Sequence, residues 1–369
     1  MSVDDSHRGL LWRPPPRGRS IDGIVIPMVR SARHVLPGLH LASALGCPLV
    51  AFCSGAAQAS EVITRADDLA MPGTTAVDLP PDYEHPLVDF GTTHDREAVA
   101  PHFYDLSLKR NLGLLLARLA GWETVLFLDD DVEGLTADRV RDAAGLLEYA
   151  SVAAFAMISY PDHSVVYHAS RLVGGERDVF ITGGACLLDL PRMESFFPAV
   201  YNEDWLFLFD ALRVGRVAYA GDVEQLPYDP FGDPERARNE EFGDVLAEGL
   251  MALLRRGGPL GEADSPYWAR FLTRRGELIA RTAAQIELKV AGNPQADRAL
   301  TALAASEDRR RNIEPAALPE YIAAWRTDVR GWRSRLETLP RPHSLDFALR
   351  YLDLFRWALT TRARSRVSL

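Results

Sequence analysis

Val125-Leu126-Phe127-Leu128-Asp129-Asp130-Asp131-Val132 is the stretch on which the reading of the whole chain turns. Four consecutive apolar residues mark a strand buried on both faces of a parallel sheet, because a strand with one wet face alternates apolar and polar side chains. Three carboxylates follow without a break. Adjacent like charges resist burial, so they belong where the strand leaves the core, at the carboxyl edge where open α/β sheets collect their ligands. Asp129 and Asp131, two residues apart, then face the same crevice. Oxygen ligands on a rigid strand end suit a hard divalent cation that keeps positions open for substrate phosphates. The plainer alternative is a solvated turn or the cap of a following helix, which Thr136 and Asp138 are placed to open.

Immediately upstream, Leu108, Leu112, Leu115, Leu116 and Leu119 recur at helical spacing within Tyr104 to Ala120, and Gly121 stops the helix. Its first turns carry Lys109-Arg110-Asn111, placed either to reach a phosphate or the acids of the next strand, or to form a plain solvated patch. Further back, a strand over Ile21 to Met28, a helix over Leu36 to Leu45 and a strand over Pro48 to Cys53 make a βαβ unit. The right-handed crossover rule makes such a unit the start of an open parallel sheet. Between Gln58 and Pro101 the pattern weakens under Pro72-Gly73, Pro80-Pro81 and Pro86, and a long irregular stretch of this kind is usually functional or mobile.

Downstream, Ala137 to Tyr149 reads as a helix, Val152 to Ile158 as a buried strand, and Val165 to His168 as a short strand. His163 and His168 are candidate extra ligands, although an isolated histidine is more often structural. Gly183-Gly184 lie inside the apolar run Val179 to Leu188, which implies a bulge or a backbone that something approaches closely. Asn202 is a good N-cap, so Glu203 and Asp204 fall in a first helical turn where the macrodipole alone accounts for two acids. Arg216 to Gly221 reads as the last sheet strand, with Asp222 and Glu224 in its carboxyl-edge loop. Helical spacing then recurs in Phe242–Leu254, Trp268–Val290, Ala299–Leu303, Tyr321–Leu336 and Leu345–Leu359.

The order of elements from Lys109 through Val132 resembles the central signature of the family 2 glycosyltransferases of GT-A fold. In that family a helix with R-N-x-G feeds an apolar strand ending in a D-x-D metal motif. The resemblance implies that Asp129 contacts the donor nucleotide or sugar and that Asp131 ligates Mn2+ or Mg2+ on the diphosphate. It also implies that the Gly183-Gly184 pair lies under the donor sugar and acceptor. By the same resemblance the acid pair after the glycines supplies the catalytic base, here Asp204, with Glu203 in support. Lys109, Arg110 and Asn111 fall on the donor side, and a third metal or diphosphate ligand would come from Asp222 or Glu224. The aspartate-rich turn that the family commonly carries after the second strand is replaced here by Cys53-Ser54-Gly55, which leaves UDP over GDP open, with UDP-sugars favoured.

The implied reaction moves a sugar from a nucleotide-diphosphate donor to an acceptor hydroxyl, on a glycan, a lipid-linked sugar or a small molecule. The metal stabilises the leaving diphosphate, and a base on the opposite face inverts the anomeric centre. A haloacid-dehalogenase phosphatase also uses D-x-D, but its motif continues differently, and Glu133 occupies the diagnostic position here. A sugar-phosphate nucleotidyltransferase needs a glycine-rich basic loop after the first strand, where Met28-Val-Arg-Ser-Ala-Arg33 has no glycine. A catalytically idle GT-A domain serving as a scaffold is the alternative from a different class.

Composition sets the outer bounds. The net charge of −10 argues against a nucleic-acid binder, which would show a basic face. Cys47, Cys53 and Cys186 form no C-x-x-C pair and read as buried thiols. No apolar run reaches the roughly 20 residues that span a bilayer, and the amino terminus lacks signal-peptide order, so a cytoplasmic protein is expected. Arg350, Arg356, Arg362, Arg364 and Arg366 make the carboxyl-terminal segment basic and amphipathic, suited to docking on the body or to peripheral contact with an anionic membrane at its inner face. The expected architecture is α/β, an open, mostly parallel GT-A sheet flanked by helices. A Pro/Arg-rich tail covers residues 1–20, the nucleotide-sugar-binding domain 21–235, and an all-helical extension 236–369.

Overall fold

A computed structural model describes residues 11, 19–95, 98, 100–158, 164–175, 180–290 and 292–361 of the chain. His163, Val179, Arg362, Arg364, Arg366 and most of the amino-terminal tail lie outside the described residues.

The strand Thr124–Leu128 (β4) is buried at every position, as four apolar residues in a row require. Val125 and Phe127 enter one core, and Leu126 and Leu128 the other, so both faces of the sheet are covered. The preceding strands are β1 (Gly23–Met28), β2 (Leu49–Cys53) and β3 (Thr74–Asp78). After β4 come β5 (Val132–Glu133), β6 (Val152–Met157), β7 (Ile181–Asp189), β8 (Val217–Gln225) and β9 (Ala358–Thr360). Among the described residues they form one nine-stranded sheet in the order β5-β8-β6-β7-β4-β1-β2-β3-β9. β1, β2, β3, β4, β6 and β8 share a direction, while β5, β7 and β9 oppose it. The chain leaves β1 toward β2 and β3 on one side and returns to β4 on the other. The crevice outside the carboxyl ends of β1 and β4 is therefore the topological switch point at which ligands gather.

Helices α1 (Leu36–Leu45), α2 (Ala59–Asp68) and α4 (Ala137–Leu146) share a core with one face of the sheet. Helices α3 (Pro101–Ala120) and α6 (Glu203–Arg213) pack on the other. That second core continues into α7 (Pro234–Arg255), α8 (Ser265–Lys289), α10 (Ala317–Glu337) and α11 (Leu345–Tyr351). A smaller cluster joins α5 (Val165–Leu172) to α8 and α9 (Pro294–Arg311).

Several expectations are corrected. Val165–His168 is the start of helix α5, not a strand, because Ser164 caps it through its side chain onto the Tyr167 amide. Arg216–Gly221 does not end the sheet, since β9 returns from the far end of the chain to pair antiparallel with β3. The helix expected to reach Leu359 stops at Tyr351, where Asp353 adopts a left-handed φ of 55°. As far as residue 361, the carboxyl-terminal segment is thus a short helix, a turn and an edge strand. The irregular stretch 58–101 contains α2 and β3, the latter too short and threonine-rich to stand out from its proline-marked surroundings. No helix among the described residues is long and apolar enough to cross a membrane.

Candidate active site

The three acids at the end of β4 divide into separate tasks. Asp129 continues the ladder, its amide donating to Gly184 O at 2.7 Å, and its carboxylate accepts both bonds of a fork from Arg110 Nη2 at 2.9 and 3.0 Å. Asp130, whose role the sequence left open, turns the other way. Its carboxylate accepts from the amides of Val29 and Arg30 at 3.0 and 2.9 Å and from the Arg30 guanidinium at 2.6 Å, tying down the exit from β1. Asp131 is buried and accepts from Gln225 Nε2 at 2.9 Å, with the Arg30 guanidinium 2.8 Å away. Burial first, and then the charge of Asp129, push its carboxyl up to about 6.

Arg110 is the hub. It projects from α3 with 3% of its surface exposed, stacks over the Phe197 ring at 5.3 Å, and bonds Glu203 as well as Asp129. The two carboxylates and the neighbouring Asp204 raise its pKa against the opposing effect of burial. Glu203, also buried, is pushed up to about 8, because burial outweighs the pull of Arg110. Asp204 accepts from the Gly183 amide at 2.7 Å.

The glycine pair explains how these groups fit together. The β6–β7 register shifts between Ala154 and Ala156, opposite the part of β7 that holds Gly183 and Gly184. A Cβ on Gly184 would stand 2.2 Å from Asp129 Oδ2, and one on Gly183 would stand 2.6 Å from Asp204 Cβ. Both readings of the pair, irregular strand and close approach, are therefore realised, and what approaches is the site's own acids.

A cavity of about 500 Å³ opens beside them. Arg110, Asp129, Glu203 and Asp204 line it with Phe103, Tyr201 and Trp205. Not every expected residue faces it. Lys109 points to the ends of β1 and β2, donating to Met28 O at 2.8 Å, Ser54 Oγ at 2.5 Å and Asp105 Oδ2 at 2.6 Å. Asn111 exchanges two 2.8 Å bonds with the backbone of Phe197 and serves as a buried strut. Asn202 makes no side-chain cap. It lies in the left-handed region at φ 58° and donates to Asp244 on α7. His168 bonds Tyr228 at 2.8 Å in a second, more open cavity away from the acids.

The sequence pattern did not point to six residues of the site. Gln225, not Asp222 or Glu224, reaches Asp131, and the signal was available in strand alternation, since Gln225 shares a face with buried Val223. Arg30 was legible as the first cation beyond β1, next to the acids in the sheet order. Asp233, Arg236, Asn239 and Glu240 on and just before α7 line the cavity, and nothing in their spacing tied them to β4.

For a divalent cation the residues present fit in a limited sense. Asp129 and Asp131 put two carboxylates at one strand end, and the Asp131 carboxyl, raised by burial first and then by the charge of Asp129, would be stabilised in its ionised form by a cation. Among the described residues no group of three or more His, Cys, Asp or Glu is assembled for a metal. The pair thus suits a cation that takes its remaining ligands from a diphosphate and water.

No protein-family model matches the chain, and no curated protein is similar to it in sequence. Among solved structures, the chain aligns with a mannosyltransferase from Pyrobaculum calidifontis in complex with GDP-Man and Mn2+, at 15% identity and a TM-score of 0.45, over 92% of this chain and 89% of that one.

Proposed function

We propose that the chain is a metal-dependent glycosyltransferase of GT-A type, transferring a sugar from a nucleotide-diphosphate donor, a UDP-sugar first, to an acceptor hydroxyl with inversion. The observation that carries this reading is the convergence, through Arg110 and the Gly183-Gly184 pair, of the strand-end acid Asp129 with the helix-start acids Glu203 and Asp204. The resemblance of Lys109 to Val132 to the family signature supports it independently. Residues 21–235 would form the nucleotide-sugar-binding unit and 236–369 a mostly helical extension that shares its core and returns strand β9 to its sheet.

Asp131 and Asp129 would hold Mn2+ or Mg2+, which when bound stabilises charge on the departing diphosphate. Arg30 and Arg110 keep those acids in place and supply fixed positive charge beside them. Asp204 takes the proton of the acceptor hydroxyl as its oxygen bonds to the anomeric carbon, and the nucleoside diphosphate leaves with the electron pair of the broken bond. The Gly183 amide orients Asp204 for this step. Glu203 bonds the Arg110 guanidinium and so helps to fix that cation beside Asp129 and Asp204.

Two variants test the assignment. With UDP-, GDP- and dTDP-sugars and manganese, Asp131→Asn should lose the metal-dependent thermal shift caused by donor. Asp204→Asn should keep that shift and lose transfer by about 100-fold or more. Transfer at the normal rate by Asp204→Asn would remove it as the base.

A further inference from the structure

We infer that α7 builds an acceptor subsite into the cavity beside Asp204, and that its ligand is a neutral polyhydroxyl compound, a sugar without phosphate or carboxylate. The inference rests on the transferase reading and adds to it the class of acceptor and the residues that select it.

The helix is fixed directly to the catalytic turn. A Cβ on Gly243 would stand 2.4 Å from Tyr201 O, so only glycine lets α7 lie against that backbone, and the next residue, Asp244, holds the side chain of Asn202. Glu240 lies four residues after Arg236, and Gly243 and Asp244 three and four residues after Glu240, so Arg236 and Glu240 share the side of the helix that leads to Gly243 and Asp244. The half-turn that grips Tyr201 and Asn202 therefore continues into the part that lines the cavity with Arg236, Asn239 and Glu240. Side chains on this face keep a set position relative to Asp204.

Their chemistry is that of hydroxyl recognition. The Arg236 guanidinium is held by Glu240 at 2.5 Å and over the Tyr228 ring at 5.1 Å, and Asn239 stands beside that pair with both donor and acceptor atoms. Vicinal hydroxyls, each donor and acceptor at once, match such planar groups, and the Phe103 and Tyr201 rings, 5.6 Å apart, offer an apolar wall to a sugar's C–H face. Charge decides between neutral and anionic sugars. Among the described lining residues, and leaving the protonated Glu203 aside, the acids Asp129, Asp204, Asp233 and Glu240 outnumber the two guanidiniums of Arg110 and Arg236. An acceptor carrying a phosphate or carboxylate would enter a cavity of its own sign.

The test uses the intact chain and ligand-observed NMR with four probes: methyl glucoside, cellobiose, glucuronic acid and glucose 6-phosphate. The neutral probes should bind, and the two anions at least about tenfold more weakly. Asn239 is exposed, so Asn239→Ala should fold normally, weaken the neutral probes about tenfold, and leave the donor-induced thermal shift with manganese unchanged. Anions that bind as well as neutral sugars, or neutral binding untouched by Asn239→Ala, would overturn the inference. A donor shift with no sugar binding would overturn it while the transferase reading stands. No shift with any nucleotide-sugar would overturn both.

Discussion

Asn202 Nδ2 donates to Asp244 Oδ1 across 2.9 Å, and both residues are buried. The bond joins the residue just before the acid pair to α7, 42 positions further along the chain. Asn202 sits at φ 58°, a left-handed conformation that asparagine tolerates and most other residues resist. Its amide cannot act as a helix cap from there, so its partner on α7 fixes the turn and, with it, the start of α6. Asp244→Ala leaves that amide buried without this acceptor and should lower stability by about 1–3 kcal/mol. Turnover should fall further than the donor-induced thermal shift, whereas Asp244→Asn, which keeps an acceptor oxygen, should retain most of both. Equal turnover in the alanine and asparagine variants would show that the turn is held by something else.

Gly183 and Gly184 separate two roles in adjacent positions. A methyl group at 184 meets the carboxylate of Asp129, and one at 183 meets Asp204. Gly184→Ala should therefore displace Asp129 and weaken metal-dependent donor binding. Gly183→Ala should spare donor binding and cost transfer, with a kcat reduced by about tenfold to 100-fold, since small misplacement of a base is expensive. Donor titrations and single-turnover rates on the two variants would show the split. Identical profiles would mean that the bulge yields as a unit.

Most of this geometry was legible in the sequence where local pattern decides it. The apolar run into Asp129, the glycine pair and the acids at 203 and 204 each follow from a rule that spans a few residues; Asp129, Glu203 and Asp204 line one cavity, and the glycines lie against Asp129 and Asp204. Of Lys109, Arg110 and Asn111 only Arg110 lines this cavity, because a helix spreads consecutive residues about 100° apart; Lys109 turns to the end of β1 and Asn111 to the backbone of Phe197. The contribution of α7 was out of reach, because it depends on how a distant helix packs against Tyr201. Strand β9 was hidden for a similar reason. Three residues carry no period, and their pairing with β3 is set by tertiary context.

Glu203 gives a pH dependence with a definite sign. Burial raises its carboxyl from an ordinary 4.5 to about 8 in the folded chain. Between those values the folded state keeps the proton that the unfolded state releases, so this group lowers stability progressively as pH rises through the window. Glu203→Gln removes the titration. Below about 8 the folded chain holds Glu203 uncharged, so a neutral amide in its place keeps the charge state beside Arg110 and leaves only the titration to separate variant from parent. The difference in Tm between variant and parent should move in favour of the variant from pH 5 to pH 8. A difference that stays constant would mean that Arg110 keeps Glu203 ionised throughout.

The far edge of the sheet allows stability and site to be tested apart. Thr75 and Thr360 face each other across β3 and β9 with hydroxyls 3.1 Å apart, and the Thr361 amide donates to Thr74 O at 3.0 Å. Ending the chain after Trp357 strips β3 of these bonds and exposes a strand edge able to pair with another molecule. β1 and β2 separate β3 from β4, so Asp129 and Asp131 should keep their positions. The truncated chain should melt at lower temperature, with aggregation that increases with protein concentration, yet bind donor and manganese normally below its transition. A parallel loss of donor affinity would show instead that closing this edge sets the geometry of the switch-point crevice.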